Sequence, residues 1–129
     1  MNIKKELTKG STALLVLSVL ENQDLYGYKI IKEIESRSED VFLLKEGTLY
    51  PILHNFEKSG YVESYWDGKE GERRRKYYHI TNKGKKVLKE NKEEWNSYSN
   101  AVNKVVGGVK NATTWKCFRI YKLYYSRKN

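Results

Sequence analysis

The side chains best suited to chemistry in this sequence are hydrogen-bonding groups spaced along one side of the segment Glu46–Gly60. They are Thr48, Tyr50, His54, Asn55 and Lys58, with Pro51 among them. Groups of these types bind base edges and phosphate oxygens through hydrogen bonds. The other side of the segment carries apolar residues at positions i, i+3, i+4 and i+7, which are Leu49, Ile52, Leu53 and Phe56. This spacing predicts a helix with one face in a core and the other free for a partner.

The ends of this helix are marked by two residues. Pro51 must lie in the first turn, because deeper in a helix it would cost about 3 kcal/mol. Gly60 can adopt the left-handed conformation that ends a helix, next to the cationic last turn at Lys58. A short helix with a polar leading end suits insertion into a DNA major groove. An ordinary amphipathic surface helix has the same pattern, so both interpretations stay open here.

A second group of candidate binding residues is basic. Tyr61–Trp66 is rich in aromatic and β-branched residues, which predicts a strand. The sequence DGKEGE after it predicts a turn, and Arg73–Ile80 is the predicted returning strand. The tip and near arm of this predicted hairpin carry Lys69, Arg73, Arg74, Arg75 and Lys76. Such a run can hold DNA phosphates, but it can also be a solvated strand edge that charge protects from aggregation.

The segments before the central helix predict two more helices. Leu7–Leu20 is apolar nearly all round from Ala13, so other helices or a second subunit must cover it. Asp24 is a candidate cap for a helix from Leu25 to about Arg37, and Val41–Leu44 is a candidate bridging strand. Two helices, a recognition helix and a basic hairpin in this order predict a mainly α fold with a small β-hairpin, a winged helix-turn-helix.

A long fourth helix follows, with Thr81 as its cap and an end near Val106. Apolar and aromatic residues follow the seam spacing of a coiled coil, at Leu88, Asn91, Trp95, Tyr98, Val102 and Val105. The seam predicts a homodimer that pairs through this C-terminal helix, in which Asn91 fixes the register. Trp95 either fills the interface or opens a slot in which a planar aromatic ligand stacks.

Length and charge bound the domain organisation. The 129 residues predict a winged-helix domain at 1–80, a dimerisation helix at 81–108 and a tail at 109–129. The net charge of +9 is unevenly placed, since the tail has six basic residues and no acidic ones. The tail could be a basic aromatic arm for nucleic acid, an amphipathic helix or an extension without function, and we assign it no role.

Composition also excludes several function classes. Mean hydropathy is −0.79 and no apolar run approaches the length of a membrane span, so we expect a soluble protein without a membrane partner. The lone Cys117 fits a reducing cytoplasm. His54 and His79 lie on different elements without a paired nucleophile, and no metal-ligand spacing is evident. We therefore expect no enzyme, no metal and no cofactor.

Three motifs together resemble the PadR family of phenolic-acid-responsive bacterial repressors, over roughly Leu7–Val106. They are YGYKI at 26–30, GTLYPIL at 47–53 and RRRKYYHIT at 73–81. The resemblance implies a winged-helix regulator, usually a repressor, that dimerises through its last helix and is released from DNA by a small molecule. The single long last helix is similar to that of the short-form, multidrug-regulator-like subgroup, in which planar drugs stack between paired tryptophans at the place of Trp95.

Two positions depart from the family pattern. Asn55 stands where the family commonly has arginine, and Glu72 precedes the basic run. We predict a repressor that binds a double-stranded DNA operator with inverted repeats. The predicted DNA-binding residues are Tyr26, Thr48, Tyr50, His54, Lys58, Lys69, Arg73, Arg74 and Arg75. The alternative is a ligand-sensing or protein-docking winged helix that does not bind DNA.

Overall fold

The computed structural model describes residues 2–69 and 71–107, and the tail at 109–129 with Cys117 lies outside them. The elements are α1 Ile3–Val19, β1 Leu25–Tyr26, α2 Gly27–Arg37, α3 Glu46–Lys58, β2 Val62–Asp67, β3 Arg75–Ile80 and α4 Asn82–Val106. The strands form one antiparallel sheet in the order β1-β3-β2. The predicted mainly helical fold with a β-hairpin and a long last helix is confirmed.

The chain divides into two compact units between Asn91 and Lys92. The core of the first unit is aliphatic and draws on α1, α2, α3 and α4. Its fully buried side chains are Val16, Leu17, Leu20, Ile30, Leu49, Leu53 and Leu88. Leu49 and Leu53 lie one turn apart on α3, so the predicted apolar stripe of this helix does face inward. Burying such a leucine contributes about 2 kcal/mol, which holds α3 against the rest of the unit.

The predicted place of Pro51 in the first turn of α3 is wrong, because the helix begins at Glu46 and Pro51 is its sixth residue. Pro51 lies on the exposed side of the helix, where water can bind the carbonyl group that loses its N–H donor.

Two local predictions before α3 are also wrong. Val41–Leu44 is not a strand, because Glu39 and Asp40 both have positive φ and the Ser38 hydroxyl accepts the Phe42 N–H at 3.0 Å. The third strand is instead Leu25–Tyr26, which pairs with the free edge of β3. Asp24 does not cap α2, whose N-cap is Tyr26 without a side-chain hydrogen bond.

The hairpin is a six-residue pairing of β2 with β3, and we call these strands and the loop between them the wing. Its register runs from Val62 opposite Ile80 to Asp67 opposite Arg75. The second strand begins at Arg75, so Arg73 and Arg74 belong to the loop rather than to the strand predicted from Arg73. Their side chains are therefore not fixed by the alternation of a strand.

The start of α4 is tightly packed on the turn after α3. The Thr81 hydroxyl accepts the Gly84 N–H at 3.0 Å and donates to the Gly60 carbonyl at 2.6 Å, which confirms Thr81 as a cap. Gly60 has a φ of 78°, the left-handed conformation expected at the end of α3. A Cβ atom at Gly84 would overlap the Tyr61 carbonyl oxygen. Only glycine therefore fits at this contact.

The predicted seam of α4 has two different environments. Leu88 is fully buried in the core of its own chain, so it has no surface to offer a second copy, and Asn91 is half-buried. Trp95, Tyr98, Val102 and Val105 are exposed, and the Trp95 and Tyr98 rings lie 6.1 Å apart. No helix within residues 2–69 and 71–107 is both long and apolar enough to span a membrane.

Candidate nucleic-acid interface

The outer face of α3 is polar and open to solvent. Its exposed residues are Thr48, Tyr50, Pro51, His54, Asn55 and Lys58. They are exposed because Leu49, Leu53 and Phe56 anchor the opposite face in the core. The predicted division of this helix into a buried face and a free polar face is what the structure has. The free face presents donors and acceptors over about three turns.

A groove of about 520 Å³ lies between the first half of α3, the start of α2 and the wing. Its walls combine aromatic and basic side chains. They include Tyr26 and Tyr28 from the start of α2, Glu46 and Tyr50 from α3, and Trp66, Arg73, Arg74 and Arg75 from the wing. Three guanidinium groups beside four phenol rings, those of Tyr26, Tyr28, Tyr50 and Tyr78, make a surface suited to a polyanion.

Five of the predicted DNA-binding residues meet in this groove, namely Tyr26, Tyr50, Arg73, Arg74 and Arg75. The other four, which are Thr48, His54, Lys58 and Lys69, do not line it. Sequence reasoning missed Tyr28 and Trp66 as groove residues. The signal for Trp66 was available, because it shares a strand face with the buried Val62 and so had to lie on the inner side of the wing.

The arginines of the wing differ in how they are held. The Arg75 guanidinium carbon lies 4.6 Å from the centroid of the Tyr26 ring, a cation–π geometry. Tyr26 in turn meets Tyr77 edge to face at 5.4 Å. Among the described residues, the guanidinium groups of Arg73 and Arg74 have no ion pair or ring contact. Arg75 therefore braces the groove, while Arg73 and Arg74 stay available to an anion.

Helix α2 and helix α3 meet at a glycine. A Cβ atom at Gly27 would lie 2.7 Å from the hydroxyl oxygen of Tyr50. Because glycine has no side chain at this position, the Tyr50 ring can pack against the first turn of α2. The position of Tyr50 in the groove depends on Gly27.

Glu57 joins the far end of α3 to both strands of the wing. One carboxylate oxygen accepts the Ser64 hydroxyl at 3.2 Å, and the other lies 3.4 Å from the Lys76 ammonium. Burial raises the pKa of the neighbouring Tyr78, and the Glu57 carboxylate adds to this shift. The pair of contacts fixes the angle between wing and helix.

Asp24 ties the turn before α2 to the wing. Its carboxylate accepts the Tyr65 hydroxyl at 2.7 Å and lies 2.8 Å from Nδ1 of His79. Burial pushes the pKa of Asp24 up, but the hydrogen bonds from Tyr65 and His79 outweigh it and leave the pKa below its ordinary value. The bond to Asp24 raises the pKa of Tyr65 to about 12. His79 is thus part of a structural contact.

Replacing Asp24 with asparagine should reduce stability in a pH-dependent way. The folded-state pKa of Asp24 lies below its ordinary value of 3.8, so the charged form stabilises the fold, fully above pH 3.8 and progressively less as the pH falls through the folded value. At neutral pH, Asp24→Asn should lower the free energy of unfolding by about 0.5 kcal/mol, since solvent screens this half-exposed site. Urea titrations at pH 7 and pH 3 measure the difference. The exposed Glu90→Gln is the control. A stability difference between Asp24→Asn and the wild type as large at pH 3 as at pH 7 would refute the assignment.

Within residues 2–69 and 71–107, no three histidine, cysteine or acidic side chains form a group that could hold a metal ion. The groove therefore offers charge and aromatic rings rather than a metal centre in the described part of the chain.

Comparison with known proteins gives the same picture. The model of the PadR-like transcriptional regulator family matches residues 16–90. A protein from Lysinibacillus sphaericus without an assigned function is 31% identical over 107 residues, which cover 83% of this chain and 98% of that protein. The transcriptional regulator YqjI of Escherichia coli is 28% identical over 85 residues, which cover 66% of this chain but only 39% of YqjI.

Solved structures agree with these sequence matches. A transcriptional regulator from Clostridium thermocellum is 36% identical with a TM-score of 0.71, over 77% of this chain and 96% of that one. A PadR family transcription regulator from Clostridium difficile is 38% identical with a TM-score of 0.64, over 75% and 99% of the two chains. The chain therefore belongs to the PadR-like family of transcriptional regulators, which are DNA-binding proteins and not enzymes.

Proposed function

We propose that this regulator is a repressor that binds an inverted-repeat operator as a homodimer, with α3 in the major groove and the wing on the phosphate backbone. The observation that carries the proposal is the groove that brings Arg73 and Arg74 beside Tyr50, at the leading end of the free polar face of α3. In this arrangement His54, Asn55 and Lys58 face the bases, and the wing arginines face phosphates.

Two acidic side chains limit the strength of this surface. Glu46 lines the groove, and Glu72 lies next to the basic loop residues. Asn55 also provides a neutral amide where the family commonly has arginine. An amide reads adenine by paired hydrogen bonds, whereas arginine prefers guanine, so the operator of this protein should differ at that base.

The direct test is binding of the purified protein to a labelled duplex from upstream of its own gene, measured by fluorescence anisotropy over a range of salt. Specific binding should survive an excess of unrelated duplex, and its affinity should fall steeply with salt because bound phosphates release counterions. An absence of binding to any duplex would favour the alternative, a winged helix that docks a ligand or a protein.

The homodimer is proposed from the exposed row on α4. Trp95, Tyr98 and Val102 follow the seam spacing and are each more than a third exposed in the single chain. Pairing would cover them and would set two α3 helices about 34–36 Å apart, one turn of DNA. Sedimentation of the protein should give the mass of two chains, and Tyr98→Asp should shift it to one.

An effector site is proposed at the same row, as in the multidrug-regulator-like subgroup. Trp95 and Tyr98 would stack a planar aromatic molecule and change the spacing of the two α3 helices, releasing DNA. Planar cationic dyes should then quench fluorescence in the wild type and much less in Trp95→Ala. Equal quenching in both proteins would mean that Trp95 only fills the interface.

Gly27→Ala should weaken DNA binding while leaving the fold nearly intact. The new methyl group meets the far end of the Tyr50 side chain, which can rotate away at little cost. Moving Tyr50 out of the groove should raise the dissociation constant about tenfold, equivalent to about 1.4 kcal/mol. Anisotropy titrations measure this. The control is Gly10→Ala, where a Cβ atom meets nothing within 4 Å, and equal binding by both variants would contradict the role of Tyr50.

A further inference from the structure

The inner face of the wing extends beyond the core. Along β2 and β3 this face presents three cross-strand pairs, which are Val62 with Ile80, Ser64 with Tyr78, and Trp66 with Lys76. The first pair is buried, and Tyr78 of the second is 4% exposed. In the third pair, Lys76 reaches Glu57 of α3, whereas Trp66 stays exposed. Trp66 is therefore an exposed residue on the same face of the wing as the buried Val62 and Ile80.

The exposure of Trp66 is high for its type. The residue is 65% exposed, although tryptophan is among the residues that gain most from burial. It lines the groove together with Arg73, Arg74 and Tyr28, so basic side chains lie beside its exposed surface. Neither an ion pair nor a ring contact holds the indole among the residues that the structure describes.

The partner of this indole must suit both its apolar surface and the cations around it. A nucleic-acid backbone alternates anionic phosphates with sugars whose carbon–hydrogen faces are apolar. Arg73 and Arg74 match the phosphates, and the indole between groove walls matches the sugar. A protein partner would need acidic and apolar groups in the same alternation. A nucleic-acid backbone has this alternation whatever its base sequence.

We propose that Trp66 packs against a deoxyribose of the DNA strand whose phosphates Arg73 and Arg74 bind. The inference rests on the DNA binding proposed above and adds a contact that is apolar. Such a contact contributes affinity on every DNA sequence, and it releases no counterions. The salt dependence of binding therefore distinguishes the contribution of Trp66 from that of the arginines: loss of the apolar contact leaves the salt slope unchanged, whereas loss of a phosphate contact reduces it.

The experiment compares Trp66→Ala, Trp66→Phe and Arg74→Ala by anisotropy titration on one duplex at several salt concentrations. Trp66→Ala should raise the dissociation constant about tenfold at every salt concentration, with the salt slope of the wild type, and Trp66→Phe should recover part of the loss. Arg74→Ala should instead make the slope shallower by about one. Leu43→Ala is the matched control, because Leu43 is 63% exposed but does not line the groove.

A second readout reports burial directly. In a chain with Trp95→Phe and Trp115→Phe, whose duplex affinity is measured first against that of the wild type, Trp66 is the only indole. Added duplex should protect this indole from acrylamide quenching. Inorganic polyphosphate, which has charges but no sugars, should bind the arginines and leave the quenching unchanged. Wild-type affinity of Trp66→Ala, or protection by polyphosphate equal to that by DNA, would overturn the inference. If the wild type bound no duplex at all, the proposed function would fail with it.

Discussion

Gly84→Ala is expected to lower the free energy of unfolding by about 3 kcal/mol, the upper part of the range for overpacked sites. The new methyl group would overlap the Tyr61 carbonyl oxygen and also approach the side chain of Ile80. A carbonyl oxygen cannot rotate away as a side chain can, so α4 would have to shift from the turn after α3. Urea denaturation followed by circular dichroism measures the change.

The control for this prediction is Gly47→Ala, on an exposed turn of α3. A Cβ atom at Gly47 meets nothing within 4 Å, so the variant should equal the wild type or gain up to about 1 kcal/mol from the better helix propensity of alanine. A Gly84→Ala protein as stable as Gly47→Ala would show that α4 is not packed on Tyr61 in this way.

The double variant Arg73→Ala/Arg74→Ala should bind DNA about 100-fold more weakly at moderate salt, with tenfold assigned to each lost phosphate contact. The plot of log affinity against log salt should become shallower by about 1.8, because two fewer counterions are released. Both guanidinium groups lie in the loop of the wing and are exposed, so stability should change little. Anisotropy titrations over several salt concentrations test both expectations.

The matched control is Lys85→Ala/Lys86→Ala, which removes two adjacent cations from the exposed side of α4, outside the groove. If affinity depended only on the net charge of the protein, both double variants would behave alike. A loss in the arginine variant alone supports a located contact. Equal losses in the two would contradict the assignment of phosphates to the groove.

The features that sequence predicted well are local ones. The stripe with Leu49 and Leu53 fixed the inner face of α3 because helical spacing alone decides which side chains share a side. Thr81 and Gly60 marked helix ends because capping depends on residues a few positions apart. The two wing strands followed from alternation and an intervening turn.

The features that sequence missed depend on contacts between distant segments. Leu25–Tyr26 became a strand because β3 has an open edge, and no pattern within two residues predicts that. Asp24 bonds the wing rather than α2, since Tyr65 and His79 reach it from 41 and 55 residues away. The position of Leu88 fits the seam of a coiled coil and the core of a single chain equally well. Its full burial in the core shows that it belongs to the core, which spacing alone does not reveal.

The contacts of Glu57 have an evolutionary consequence. The side chains of His54, Asn55 and Lys58 are exposed and make no hydrogen bond or ion pair among the described residues, so substitutions there should cost little stability. Glu57 lies among them in sequence, yet it anchors Ser64 and Lys76 of the wing. Sequence change along the exposed side of α3 is therefore expected to spare Glu57, because losing its carboxylate would release the wing from the helix.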